Sequence, residues 1–78
     1  MYYVYILRLL DKTHYIGFSS NLKSRIEEHE EGRVPQTRNL RPFRLVFYAA
    51  FRSKLKALKF ETYLKTNSGF AFRNKRLI

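Results

Sequence analysis

Glu61 is the only carboxylate after Glu31, in a stretch that carries twelve Lys and Arg residues. At helical spacing its companions are apolar: Ala57, Phe60 and Leu64 share its side of a helix, with Leu58 near the edge of that side. A carboxylate so placed is partly desolvated and requires a cation to stay ionised. A divalent metal would serve, since Mg²⁺ is often held by one carboxylate with waters and substrate phosphate completing its shell. A neighbouring Arg or Lys, Arg25 among them, would serve equally and would make Glu61 a structural group.

Two further sets of residues bear on the same choice. Tyr5 and Tyr15 lie ten residues apart. Two phenols near one site can hydrogen-bond a water nucleophile, or act as a base where their pKa is depressed. Aromatic packing across two strands is the simpler account of the pair taken alone. Arg25 and His29 are four residues apart, one helical turn. Arg can clamp a phosphate in two-pronged fashion and His can pass a proton, whereas a surface Arg beside a packed His is the structural alternative. The chain has no P-loop, HExxH, Gly-Ser elbow or Cys-His spacing, and no acidic pair for a two-metal site. Any metal chemistry would therefore use a single ion.

The elements that must position these groups are legible. Tyr2 to Arg8 is β-branched and aromatic, with apolar residues on both sides, and reads as a strand covered on both faces. Leu10-Asp11-Lys12-Thr13 supplies a turn into a second strand, His14 to Phe18, so the two form an antiparallel hairpin. Ser19 or Ser20 can cap a helix that runs to about Glu31, carries a stripe of Leu22, Ile26 and His29, and stops at Gly32. Gly32 to Pro42 reads as a mobile basic loop bearing Arg33, Arg38 and Arg41. Phe43 to Phe51 is expected as a strand with Phe43, Leu45, Phe47, Ala49 and Phe51 on one side. Ser53 can cap a second helix to about Thr66, ended by Asn67-Ser68-Gly69, and a short basic helix from Phe70 closes the chain. The order β-β-α-β-α-α implies a small α/β fold, a three-stranded sheet flanked by helices, in a single domain over residues 1–78.

Composition narrows the function classes. Sixteen Lys and Arg against six Asp and Glu leave a net charge of +10, the signature of a polyanion binder, with nucleic acid ahead of an anionic membrane. The strongest basic segment is a loop rather than an amphipathic helix, which argues against a membrane surface. The apolar opening segment is short and contains Arg8, so neither a membrane span nor a signal peptide is expected. With no Cys, there is no disulfide framework or thiolate metal site, and a cytoplasmic protein is expected.

Taken together, Tyr3-Val4-Tyr5, Tyr15-Ile16-Gly17, Asn21-Leu22, Arg25, His29 and Glu61 resemble a GIY-YIG nuclease domain over nearly the whole chain. The run from Glu61 to Phe72 is similar to that of the small stand-alone bacterial members. The resemblance implies a metal-dependent endonuclease that hydrolyses DNA phosphodiester bonds. Its single Mg²⁺ or Mn²⁺ would be held by Glu61, and one tyrosine, Tyr5 by preference, would help deprotonate the attacking water. Arg25 would stabilise charge on the phosphate, and His29 would orient the water or a tyrosine. The family's late Asn has a possible counterpart in Asn74. Arg33, Arg38, Arg41, Lys65 and Asn74 are expected to contact DNA, or RNA in its place, largely through phosphate. The alternative is a non-catalytic nucleic-acid-binding module that keeps the fold and the basic surface.

Overall fold

Strand β1 (Tyr2–Arg8) is the centre of the molecule in the computed structural model, which describes all residues from Met1 to Ile78. Two-sided apolar patterning puts it there: it pairs antiparallel with β2 (His14–Ser19) on one edge and with β3 (Arg44–Phe51) on the other. The remaining elements are α1 (Leu22–Glu30), a 3₁₀ turn at Arg38–Leu40, α2 (Lys54–Leu64) and α3 (Asn67–Arg76). The order β-β-α-β-α-α and the three-stranded sheet flanked by helices are as the sequence implies.

The hairpin turn is closed by its own side chains. Asp11 accepts hydrogen bonds from the Thr13 amide at 3.0 Å and the Thr13 hydroxyl at 2.6 Å, and these bonds lower its pKa. Lys12 takes the left-handed conformation there, with φ of 70°.

The two faces of the sheet bury different chemistry. On one, Val4 and Ile6 pack with Ala57 and Leu64 of α2, backed by Ile16, Phe18, Phe47, Phe51 and Phe60. On the other, Tyr5, Leu7 and Leu9 pack with Tyr15, Leu22, Ile26, Leu40 and Phe43. Full burial of an aliphatic side chain contributes about 1.5–3 kcal/mol, so Val4, Ile6 and Leu64 on the first face are a principal source of stability.

Several boundaries differ from the sequence reading, each for a local reason. Asn21, not Ser19 or Ser20, caps α1, its side-chain oxygen accepting from the Ser24 amide at 3.1 Å. Ser19 instead braces the preceding turn through the backbone of Asn21. Strand β3 does not keep one alternation: a register shift opposite Ile6 and Leu7 inserts an extra residue. Phe47 and Phe51 therefore face α2, while Phe43 joins the Tyr5 face and Leu45 is exposed. Asn67-Ser68-Gly69 does not end a helix but begins α3, capped by Thr66, whose hydroxyl accepts from the Gly69 amide at 3.1 Å. Glycine is needed at 69 because a Cβ there would collide with the Tyr63 carbonyl. The expected mobile loop is also pinned. Val34 and Thr37 are buried, and the Leu10 amide donates to the Leu40 carbonyl at 2.9 Å.

Candidate active site

The motif residues meet at the free edge of β2, where α1 approaches from one face of the sheet and α2 from the other. Register places them. Tyr5 sits opposite Gly17, and Leu7 opposite Tyr15, so Tyr5, Gly17 and Tyr15 share the α1 face. The Tyr5 ring lies directly over Gly17, and any Cβ at 17 would overlap it. The glycine of the second tripeptide is thus the space that lets Tyr5 reach towards α1.

Behind the edge lies a buried polar chain. The Tyr5 hydroxyl and His29 Nε2 are 2.8 Å apart, and His29 Nδ1 is 2.8 Å from the Thr37 hydroxyl. All three residues are fully buried. The Thr37 hydroxyl in turn donates weakly to the Val34 carbonyl at 3.5 Å. That direction is consistent with Nδ1–H donating to Thr37 and Tyr5 donating to an unprotonated Nε2. Tyr15 and Phe43 close on the imidazole edge-on, with ring centroids 5.1 Å and 5.9 Å away. Burial, reinforced by the Arg25 charge, lowers the His29 pKa to about 4, so the ring is neutral near pH 7. Burial likewise pushes Tyr5 up to about 12, against a smaller opposing pull from Arg25. Tyr5 therefore holds its proton and donates it to His29.

In front of this chain is an open cleft of about 630 Å³. Its walls include Tyr15 and Gly17 from β2, Arg25 from α1, Glu61 from α2 and, just beyond that helix, Lys65. Arg25 is anchored by Glu28 at 3.2 Å and lies beside both phenols. Burial opposes its charge, but the Tyr5 and Glu28 partners outweigh burial and raise its pKa. The Glu61 side chain is 18% exposed, and its Oε2 is 3.3 Å from the ammonium of Lys65, which is 56% exposed. The cation beside Glu61 is thus Lys65 and not Arg25.

Of the residues singled out in the sequence, Tyr15, Arg25, Glu61 and Lys65 line the cleft, with Tyr5 and His29 directly behind. The others lie elsewhere. Arg33 pairs with Glu31 on the surface. Arg41 donates to the carbonyls of Arg38 and Glu30, both at 2.8 Å, and so fastens the loop to the end of α1. Arg38 and Arg41 line a separate hollow with Glu30, Pro42 and Phe43. Asn74 faces another depression, shared with Arg8, Lys12 and His14, and is not among the residues around Glu61.

Two residues escaped the sequence reading. Thr37, in the segment expected as a mobile basic loop, completes the His29 chain. Arg73 lines the cleft although in the sequence it is only one of three basic residues of the short closing helix. The signal for it is the four-residue row Gly69, Arg73 and Leu77, in which Gly69 and Arg73 are buried on α3 and the capping Leu77 packs against the core.

Residues 1–76 match the GIY-YIG catalytic domain. A UPF0213 protein of Clostridium perfringens is 39% identical over 66 residues, spanning 83% of this chain and 71% of that one. A UPF0213 protein of Lactiplantibacillus plantarum is 37% identical over 70 residues, or 86% and 69% of the two chains. The solution NMR structure of a UPF0213 protein from Bacillus halodurans is 33% identical and has a TM-score of 0.62, covering 99% of this chain and 87% of that one. GIY-YIG domains are in general endonucleases that use divalent metals and act on nucleic acid. With sequence agreement reaching from Met1 into the last turn of α3, and a fold shared with the Bacillus halodurans protein, this chain belongs to the GIY-YIG family.

Proposed function

We propose that the protein is a metal-dependent endonuclease that hydrolyses DNA phosphodiester bonds with one divalent ion, Mg²⁺ or Mn²⁺, and a tyrosine-assisted water. The observation that carries this reading is the cleft, where one carboxylate, one accessible phenol and fixed cations face the same opening on a chain of charge +10. Glu61 suits a hard cation that keeps most of its waters, since one carboxylate with phosphate oxygens is a sufficient ligand set. Lys65 beside it is long and half-exposed, so it can turn away at little cost. When bound, the ion would polarise the phosphoryl group and acidify a water.

The protein's own groups supply the rest. Arg25, held by Glu28, offers a fixed positive charge where negative charge builds on the phosphate oxygens. The burial of Tyr5 and its bond to His29 support giving the water-activating role to Tyr15, the phenol on the cleft wall. Tyr5 and His29 then act as positioning residues beneath Tyr15 and Arg25. In the reaction the water oxygen bonds to phosphorus and one phosphorus–oxygen bond to the sugar breaks. Tyr15, its own proton first released to solvent, accepts the water's proton on its phenolate oxygen, and the departing sugar oxygen takes one from solvent.

Supercoiled plasmid incubated with the protein in Mg²⁺, Mn²⁺ or EDTA tests this. Metal-dependent nicking that disappears in Glu61→Ala, with the variant still folded, is the expected result. The Lys65–Glu61 pair favours a second reading, in which the one acid of the cleft is neutralised and the surface only binds nucleic acid. Tight, salt-sensitive binding without nicking by either protein would select that reading. Nicking that persists in Glu61→Ala would remove Glu61 from the mechanism.

A further inference from the structure

Arg73 is 7% exposed, and two of its guanidinium nitrogens, Nε and Nη1, are buried with no hydrogen-bond partner. None of the three ion pairs in the molecule includes it. A buried cation without an acceptor is strongly destabilising, and a guanidinium on the wall of an open cleft gains by turning an N–H towards an acceptor there. The cleft is the one that contains Glu61. The cleft's charged lining favours an anionic occupant: Arg25 and Lys65 stand with Arg73 against the one carboxylate, Glu61.

Phe70 is the second half of the observation. The Arg73 guanidinium carbon sits 4.4 Å from the centre of the Phe70 ring, while the residue is 53% exposed and lines the same cleft. One side of the ring is thus occupied by a cation and much of the remainder is open to solvent. An aromatic face beside a phosphate-binding Arg is the pairing that holds a single nucleotide, phosphate on the cation and base on the ring. A base within a duplex is already stacked on both sides and has no use for that face. An unpaired base does.

We infer that Arg73 and Phe70 form a nucleotide-binding element at the α3 end of the cleft, taking one phosphate and one unpaired base of a strand whose neighbouring phosphodiester lies at Glu61. The inference deepens the proposed function and rests on it for the placement of that phosphodiester. It names the substrate class as nucleic acid with a single-stranded segment beside the cut.

The test measures binding in EDTA, which needs no catalysis. A fluorescein-labelled oligothymidylate of about 12 nucleotides and its duplex with oligodeoxyadenylate are titrated by anisotropy. Wild type is expected to favour the single strand, and Phe70→Leu to lose about tenfold on the single strand while its duplex affinity holds. Arg73→Met is expected to weaken binding to both probes and to lower the salt slope by about one, more than the distant control Lys23→Met on α1 does. Its melting temperature should stay level or rise, because an apolar group of similar length replaces an unpaired buried charge. Equal affinity of wild type for the two probes overturns the inference, as does an unchanged preference in Phe70→Leu. A lower melting temperature with unaltered binding in Arg73→Met would make Arg73 a structural residue. Single-strand preference with no metal-dependent cleavage of either the plasmid or a branched DNA that carries a single-stranded flank would sink the nuclease reading and spare this element, whereas cleavage with no such preference would do the reverse.

Discussion

The two faces of β1 are built from the same strand and differ in what they bury. Val4 and Ile6 pack in a cluster of aliphatic and aromatic side chains from α2, the flanking strands and the end of the chain. Tyr5, one residue away, carries a hydroxyl into the opposite interior and needs His29 and Thr37 to satisfy it. An apolar pair on that side would make an equally sound core with no polar group to match. What the polar face adds is placement: a neutral imidazole fixed at both nitrogens holds Tyr5 beneath Arg25 and Tyr15. The α2 face stabilises the fold, and the α1 face spends some of that stability on position.

Substitutions on the two sides should separate these roles. The largest change is expected from Ile6→Ala, which empties the α2 face and should cost about 2–5 kcal/mol in urea unfolding. Whatever folded fraction remains should nick plasmid at the rate of wild type per folded molecule. A matching loss of rate would erase the contrast between the faces.

Acid should act on the α1 face through His29. The folded-state pKa of His29 is lowered from 6.5 to about 4, so in this window the unfolded chain binds a proton that the folded one refuses. The contribution of the buried neutral ring is complete above pH 6.5, falls as the pH drops towards 4, and is level below that. Its size is at most about 3 kcal/mol. His29→Gln should reduce the slope of stability across that window, leaving the part carried by His14, as measured by denaturant midpoints at several pH values. An unchanged slope would mean that other groups govern acid unfolding.

A smaller effect is expected from Tyr5→Phe, which leaves His29 Nε2 buried without its partner. Loss of about 1–3 kcal/mol is expected. The nicking rate should also fall, and a double-mutant cycle with His29→Gln should reveal coupling between them. Additive losses would show that the hydrogen bond does not link the two.

Least costly to the fold is Glu61→Ala. Its only ion pair is with an exposed lysine at the cleft mouth, so stability should change by no more than about 0.5 kcal/mol. Activity should nevertheless fall to background, the reverse of the Ile6→Ala pattern. Between them these two variants set the limits of the comparison.

The sequence by itself determined much of this molecule, because its signals are local. Strand β1 follows from β-branched and aromatic residues on both sides, and α2 from its Ser53 cap and the spacing of Ala57, Phe60 and Leu64. Family membership was legible in short motifs whose spacing reports which residues share a face. Other features depend on contacts between distant segments. The register shift that turns Phe43 towards His29 is set by pairing with β1, which alternation within β3 cannot register. Asn67 to Gly69 suit either a helix end or a helix start, and the close approach of Gly69 to the Tyr63 carbonyl selected the start. Only the tertiary structure decided which tyrosine is shut away with His29 and which meets the cleft. It also decided that Arg73 points inward while Asn74, its neighbour, turns to another surface. Periodicity reports a face, but the burial and bonding of a polar group depend on what the rest of the chain brings to it.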